Sequence, residues 1–332
     1  MDFKTFYCGK DDEGRRLDRI VRKFLSEESL SILYKSIRNG FIKVNKKTVS
    51  PSYRVRENDA LFIASSLAPA VSFDESAGRF PPKERYPAFS KENTIFKNEA
   101  IIVINKPYDV SVQGKNSLSD QIVSIWKGEE KTKDGSSSLS FIPGPLHRLD
   151  RKTTGVLIFS QNLKGAQWFS SAFKHNAIKK IYLALLQGRL DEPVFWHDSI
   201  VKKTDNDKNF HTVNIVSDKT EAGKAAVTKA EPLYYGIYEN LDITLAKITI
   251  ETGRTHQIRS QAAFHGFPLL GDTAYGGKKI TADRDFYLHS YALLIPENNP
   301  LSVPKKLIAF IPTKFEKMLS KTLISPLRIN II

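Results

Sequence analysis

Near the start of the chain, Leu17, Ile20, Val21, Phe24 and Leu25 recur at helical spacing, and Arg16, Arg19, Arg22 and Lys23 fall largely off that apolar face. A second helix is expected from Leu30 to Arg38, with Leu30, Leu33 and Ile37 inward and Lys35 and Arg38 outward, and Asn39-Gly40 is a good helix stop. Short alternating runs follow, Phe41 to Val49 and Tyr53 to Ile63, and read as a hairpin. From Ala64 to about Lys91 the pattern breaks, and Pro69, Pro81, Pro82 and Pro87 mark a linker. Beyond Asn93, strands are expected at Ala100 to Asn105, Gly155 to Phe159, Ile181 to Leu186, Ile243 to Ile250 and Tyr287 to Ile295. One helix is expected from Asn162 to His175, and the polar stretch Lys127 to Pro145 reads as a long loop. Strands outnumber helices without regular alternation. The fold class is therefore α+β: a mixed, mostly antiparallel sheet with flanking helices, preceded by a small α+β domain. The expected division is a small domain over 1–66, a linker over 67–92 and a large domain over 93–325.

Charge changes this picture more than composition does. Fifty Lys and Arg against 36 Asp and Glu leave a net charge of +14, which favours a polyanion, either nucleic acid or an anionic membrane surface. Twelve of the basic residues lie between Arg15 and Arg56, opposed only by Asp18, Glu27 and Glu28. Two helices sharing one polar side, feeding a basic hairpin, put one positive face on a compact unit, and phosphate contact is the favoured reading over a solvated charged face.

Other classes drop out. A single cysteine, Cys8, excludes an intrachain disulfide and a cysteine-cluster metal site. No apolar run approaches the roughly 20 residues that span a bilayer. The first ten residues lack a signal peptide's apolar core, so a cytoplasmic location is expected. There is no glycine-rich dinucleotide turn, no phosphate-cradling loop and no hydrolase elbow, and the seven histidines form no metal pattern. The chemistry is expected to need neither cofactor nor metal.

Three segments carry candidate chemistry. His147-Arg148-Leu149-Asp150-Arg151-Lys152-Thr153-Thr154-Gly155 sets an acid among cations just before a strand. Lys180-Ile181-Tyr182 places a tyrosine at the start of another strand, and Gly253-Arg254-Thr255-His256-Gln257-Ile258-Arg259 reads as a turn opening a helix, followed by Gly271-Asp272 and Tyr275-Gly276. With Lys106-Pro107, Gly223 to Thr228 and Leu288-His289, these motifs stand in the order found in the RluA-type family of pseudouridine synthases, which the chain resembles from about Asn93 to Leu319. Arg16-Leu17-Asp18 and Gly40 to Asn45 likewise resemble the S-four-type RNA-binding domain that precedes the catalytic domain in many such proteins.

The resemblance implies an enzyme that detaches uracil from its ribose within RNA, turns it and rejoins it through carbon. Asp150 matches the essential aspartate, acting on the sugar either by attack or by proton removal. Arg259 matches the arginine that pairs with it, and Tyr182 the tyrosine that stacks on the base and handles a proton. Leu288 resembles a residue lining the uracil pocket, and Arg148 the side chain that fills the gap left by the extruded nucleotide. His147, Arg16, Arg19 and Lys43 complete the expected RNA contacts. Large-subunit ribosomal RNA is the expected partner, with transfer RNA the alternative; the chain is expected to be a monomer that binds no membrane. A non-catalytic RNA-binding or ribosome-assembly protein on the same scaffold is the competing class. The resemblance has departures: Thr154 stands where serine is common, and Ser260-Gln261 and Ala263-Phe264 replace a valine- and histidine-containing pattern. Lys202 to His211 fits the family only loosely and is a candidate substrate loop.

Overall fold

The computed structural model describes residues 1–25, 28–67, 91–130, 138–202, 213–216, 223–280 and 286–322. Most of the expected linker and of the candidate substrate loop lies outside the described residues. The described residues gather into two compact units. The first holds those within Met1–Pro87, Ser119–Gly144 and Ser160–Gln167, and the second holds the rest.

In the first unit, helices α1 (Leu17–Phe24) and α2 (Leu30–Arg38) accompany a three-stranded antiparallel sheet in the order β1 (Phe3–Tyr7), β3 (Ala60–Ala64), β2 (Ile42–Val44). Helix α1 buries Leu17, Ile20 and Val21, as its periodicity predicts. Helix α2 starts at Ser29, whose hydroxyl accepts from the Ile32 amide, and stops at Gly40, whose φ of +72° suits a residue without Cβ. Leu33 and Ile37 are buried, but Leu30 is 46% exposed, against expectation. It lies on the correct stripe, yet in the helix's first turn, at the edge of the core.

Helix α3 (Leu118–Glu130) was not anticipated, and it takes the first residues of the expected loop at Lys127 to Pro145. Residues 138–140 are not loose either. The buried Asp12 carboxylate accepts from the Ser138 and Ser140 hydroxyls and the Leu139 amide, and Lys23 donates to the Ser140 carbonyl at 3.2 Å.

The second unit is built on a ten-stranded sheet. Its strands are β4 (Thr94–Lys97), β5 (Ile101–Lys106), β6 (Thr154–Ser160), β7 (Lys179–Gln187), β8 (Val194–Lys202), β9 (Val213–Val216), β10 (Lys224–Tyr238), β11 (Leu241–Ile250), β12 (Leu288–Leu294) and β13 (Lys306–Ile308). The order is β4-β5-β6-β12-β7-β11-β10-β8-β9, with β13 beside β12. Strand β12 runs parallel to β6 and antiparallel to β7, and β7, β11, β10, β8 and β9 are successively antiparallel. The expected α+β class is therefore what forms. Helix α4 (Leu163–Lys174) packs Phe169 and Ala172 with Val103, Val156 and Ile158, while α6 (Thr313–Lys321) packs Phe315, Met318 and Leu319 with Leu183, Leu185 and Leu245. Helix α5 (Gln257–Phe264) carries the third candidate segment. No helix among the described residues is long and apolar enough to cross a membrane.

Candidate active site

Three strand ends and one helix start converge on a single pocket. Arg148, Asp150, Tyr182, Leu288 and Arg259 all line it, so five of the expected site residues come together. Lys106 shapes the Asp150 loop. It ends β5, is fully buried, and donates through Nζ to the carbonyls of Pro107 (2.9 Å), Arg151 (2.7 Å) and Thr153 (2.8 Å). A buried ammonium is tolerable when carbonyls satisfy it. These carbonyls flank Asp150, whose own carbonyl accepts from the Thr153 amide at 3.0 Å. Lys106→Met is expected to cost about 2–4 kcal/mol of stability in denaturant unfolding, because three carbonyls, that of Thr153 buried, lose their donor. The same change is expected to slow turnover on the order of 100-fold by releasing the loop.

Beyond the loop, Gly155 adopts φ +112°, and a Cβ there would stand 2.1 Å from the Ser290 carbonyl oxygen. Only glycine allows β6 to lie so close to β12. The neighbouring Thr154 hydroxyl meets Nδ1 of the buried His289 at 2.9 Å, so the threonine keeps a hydroxyl where serine is common.

Arg259 reaches Asp150 but binds a second carboxylate more closely. Its Nε and Nη2 bond the two carboxylate oxygens of Asp272, each at 2.7 Å, whereas its Nη1 stands 3.9 Å from Asp150. The first is a bidentate pair; the second is a charge–charge approach beyond hydrogen-bond range. The guanidinium also sits over the rings of Phe286 (4.4 Å) and Tyr275 (4.9 Å). Burial alone would lower its pKa, but the hydrogen bonds and charge of Asp272 more than offset that and raise it. Asp150 thus faces a cation already held in place by Asp272.

Two further groups complete the site. His256, in the left-handed conformation at φ +54° just before α5, meets the Tyr275 hydroxyl through Nδ1 at 2.9 Å, and its Nε2 is 3.9 Å from Asp150. Burial lowers its pKa more than Asp150 raises it, so the imidazole is largely neutral at pH 7. Burial pushes the Tyr182 phenol up to about 12, with Ser290 opposing and Asp150 adding to the rise, so its hydroxyl keeps its proton. In the sequence, His256 and Asp272 stand out only as parts of motifs. The signal was present in Gly271-Asp272 and in the His three residues before Arg259.

The other expected contacts lie apart from this pocket's lining. His147 accepts from the Ile158 amide through Nε2 at 3.2 Å and packs on Phe173. Burial, aided by the Lys180 charge, lowers its pKa from 6.5 to about 3. With the folded pKa below the unfolded one, this contribution is complete above pH 6.5 and is lost as pH falls toward 3. Between pH 7 and 5 the ring, which is only partly covered, is expected to cost at most about 2 kcal/mol. Thermal melts over that range should show the loss in the wild type and a flatter profile in His147→Gln. In the first unit, Arg19 is exposed, Arg16 makes a two-point pair with Asp18 at 2.7 and 3.1 Å, and Lys43 lies 4.9 Å over the Phe3 ring.

With that geometry in view, comparison with known proteins is decisive. The family model for RNA pseudouridylate synthase matches residues 100–264, and the S4 domain model matches residues 15–61. The chain belongs to the RluA-type pseudouridine synthases. It carries an N-terminal S4 domain, and its reaction is an intramolecular isomerisation. The ribosomal large subunit pseudouridine synthase C of Pasteurella multocida is 27% identical over 305 residues, covering 87% of this chain and 85% of that protein. The Rickettsia conorii protein of the same name is 29% identical, covering 92% and 96%. Among solved structures, Human RNA Pseudouridylate Synthase Domain Containing 1 aligns with a TM-score of 0.54 at 25% identity, over 70% of this chain and 86% of that one. Human RNA Pseudouridylate Synthase Domain Containing 4 shares the fold, with a TM-score of 0.56 at 21% identity, over 70% of this chain and 93% of that one.

Proposed function

We propose that this pseudouridine synthase acts on large-subunit ribosomal RNA, with Asp150 as the group that acts on the extruded nucleotide. The observation that carries the residue assignment is the Asp150 carboxylate in a pocket shared with Tyr182, 3.9 Å from a guanidinium that Asp272 already holds. Uracil in a stacked helix hides its glycosidic bond, so the base must be swung out; that costs a few kcal/mol and favours loops and stem-loop ends. The pocket offers the flipped base an aromatic ring in Tyr182 and an apolar side in Leu288. Tyr182, protonated at neutral pH, suits hydrogen-bond donation to a uracil oxygen rather than proton abstraction. Arg148, exposed beside Asp150, is free to enter the space the base leaves.

Ribosomal RNA is favoured by relatives that are named for the large subunit and align over most of their length. In the first unit, exposed Arg19, Arg22, Lys35 and Arg38 on two adjacent helices suit phosphate contact. The test uses unmodified large-subunit ribosomal transcripts carrying tritium at uridine carbon 5. Tritium release by the purified protein is the expected result. Binding without release rejects the ribosomal assignment, and release from transfer RNA transcripts alone replaces it.

A further inference from the structure

Three arginines line the pocket, and they are held differently. Arg259 is committed to Asp272, and Arg148 is exposed and makes no hydrogen bond to the main chain among the described residues. Arg254 is exposed yet pinned twice. Its amide donates to Gln257 Oε1 at 3.0 Å, and its Nε donates to the Ala225 carbonyl on β10 at 3.0 Å. Among the described residues its two terminal nitrogens have no protein partner, and no carboxylate lies within ion-pair distance.

The anchor behind Arg254 is itself rigid. Gln257 Oε1 also accepts from Thr252 Oγ1 at 2.8 Å, and Gln257 Nε2 donates to Thr228 Oγ1 at 3.0 Å. Thr228 Oγ1 donates to Gln261 Oε1 at 2.6 Å, and Gln261 Nε2 donates to Asp198 Oδ2 at 2.6 Å. Gln257, Thr228 and Gln261 are buried, and every donor in the series points the same way, ending on a carboxylate. Such an aligned chain strengthens each of its bonds. Gln261, one of the departures from the family pattern, is the last link before the carboxylate. The structure therefore fixes the main chain of Arg254 and one of its guanidine nitrogens before any substrate arrives.

We propose that Arg254 is a preset clamp for one phosphodiester of the RNA strand at the rim of the pocket, a reading that rests on RNA as the substrate of this site. A guanidinium with both terminal nitrogens unpaired presents a donor fork that matches two phosphate oxygens. Because the side chain is already pinned, little rotamer freedom is lost on binding. The positive charge also reaches Lys180, whose pKa is lowered by burial first and by Arg254 second.

The test compares wild type, Arg254→Gln and Arg254→Lys on the same tritiated large-subunit transcripts, with filter binding across a salt series. Arg254→Gln should raise the half-saturating RNA concentration about tenfold, more than it lowers the rate at saturation. It should also reduce the slope of log affinity against log salt by about 0.7–0.9, the amount for one phosphate. Arg254→Lys should keep that slope while losing several-fold in affinity, because the charge remains and the fork does not. A slope unchanged in Arg254→Gln overturns the proposal, as does a loss confined to the rate at saturation. If Arg254→Gln melts early, the lysine variant still decides: a slope lowered there also overturns it. Wild-type protein that binds these transcripts without releasing tritium counts against the ribosomal assignment, whereas the slope comparison judges the clamp.

Discussion

Asp150→Asn is expected to reduce tritium release by more than about 10⁴-fold while leaving the fold and the affinity for RNA close to those of the wild type. The magnitude follows from what the residue supplies: if one carboxylate does the covalent or proton chemistry, its amide cannot substitute, and what remains is binding and orientation. Fold and affinity are expected to survive because the Asp150 carboxylate is not a structural partner. It stands 3.9 Å from both Arg259 and His256, beyond hydrogen-bond range, and Arg259 keeps its bidentate pair with Asp272. The loop is held from behind by Lys106 through main-chain carbonyls, which asparagine does not disturb. The measurement is single-turnover release, with filter binding and a thermal melt on the same preparation. Turnover within tenfold of wild type rejects Asp150 as the acting carboxylate. A large fall in melting temperature would mean that Asp150 is instead a structural partner.

The site was legible in the sequence to the extent that its residues are local. Arg148, Asp150 and the approach to β6 lie in one short segment, and Tyr182, Arg259 and Leu288 each sit within a recognisable motif. What could not be read was partnership. Nothing in the spacing says that Arg259 gives its two best donors to Asp272, thirteen residues on, and only the return of the chain after α5 brings them together. The partner of His147 was hidden for the same reason. A histidine beside Arg148 looks like part of a binding loop, but its ring nitrogen accepts from β6.

The fold shows a similar boundary. Helix α1 and strands β5, β7 and β11 were evident because each has a single apolar pattern. Strand β10 was not, although it is the longest, because Pro232 and a register shift between Pro232 and Tyr234 break its alternation. Its turn into β11 uses Glu239 and Asn240, both with positive φ, and only Asn240 advertises that conformation. Helix α3 was hidden by its polar C-terminal end, which reads as loop.

The Arg259–Asp272 pair supplies the second large effect. Asp272→Ala is expected to lower stability by about 3–5 kcal/mol, because it leaves a buried guanidinium beside two rings with Nε and Nη2 unmet. Arg259 is about 8% exposed and Asp272 about 1%, so water can replace little of what the carboxylate gave. Activity is expected to fall as well, by a separate route. Asp150 is then the nearest remaining anion, and a guanidinium released from Asp272 can close the 3.9 Å gap and occupy the oxygen that a substrate needs. Removing both charges distinguishes the two routes. Arg259→Met with Asp272→Leu is expected to regain most of the lost stability, since apolar side chains of similar volume replace a buried pair at little cost. It is not expected to regain turnover, because Asp150 then faces no cation at all. Denaturant unfolding and tritium release on the single and double variants make the comparison. A cost below about 1 kcal/mol for Asp272→Ala would show that the pair does not hold this site together, and recovery of turnover in the double variant would show that Asp150 works without a positioned guanidinium.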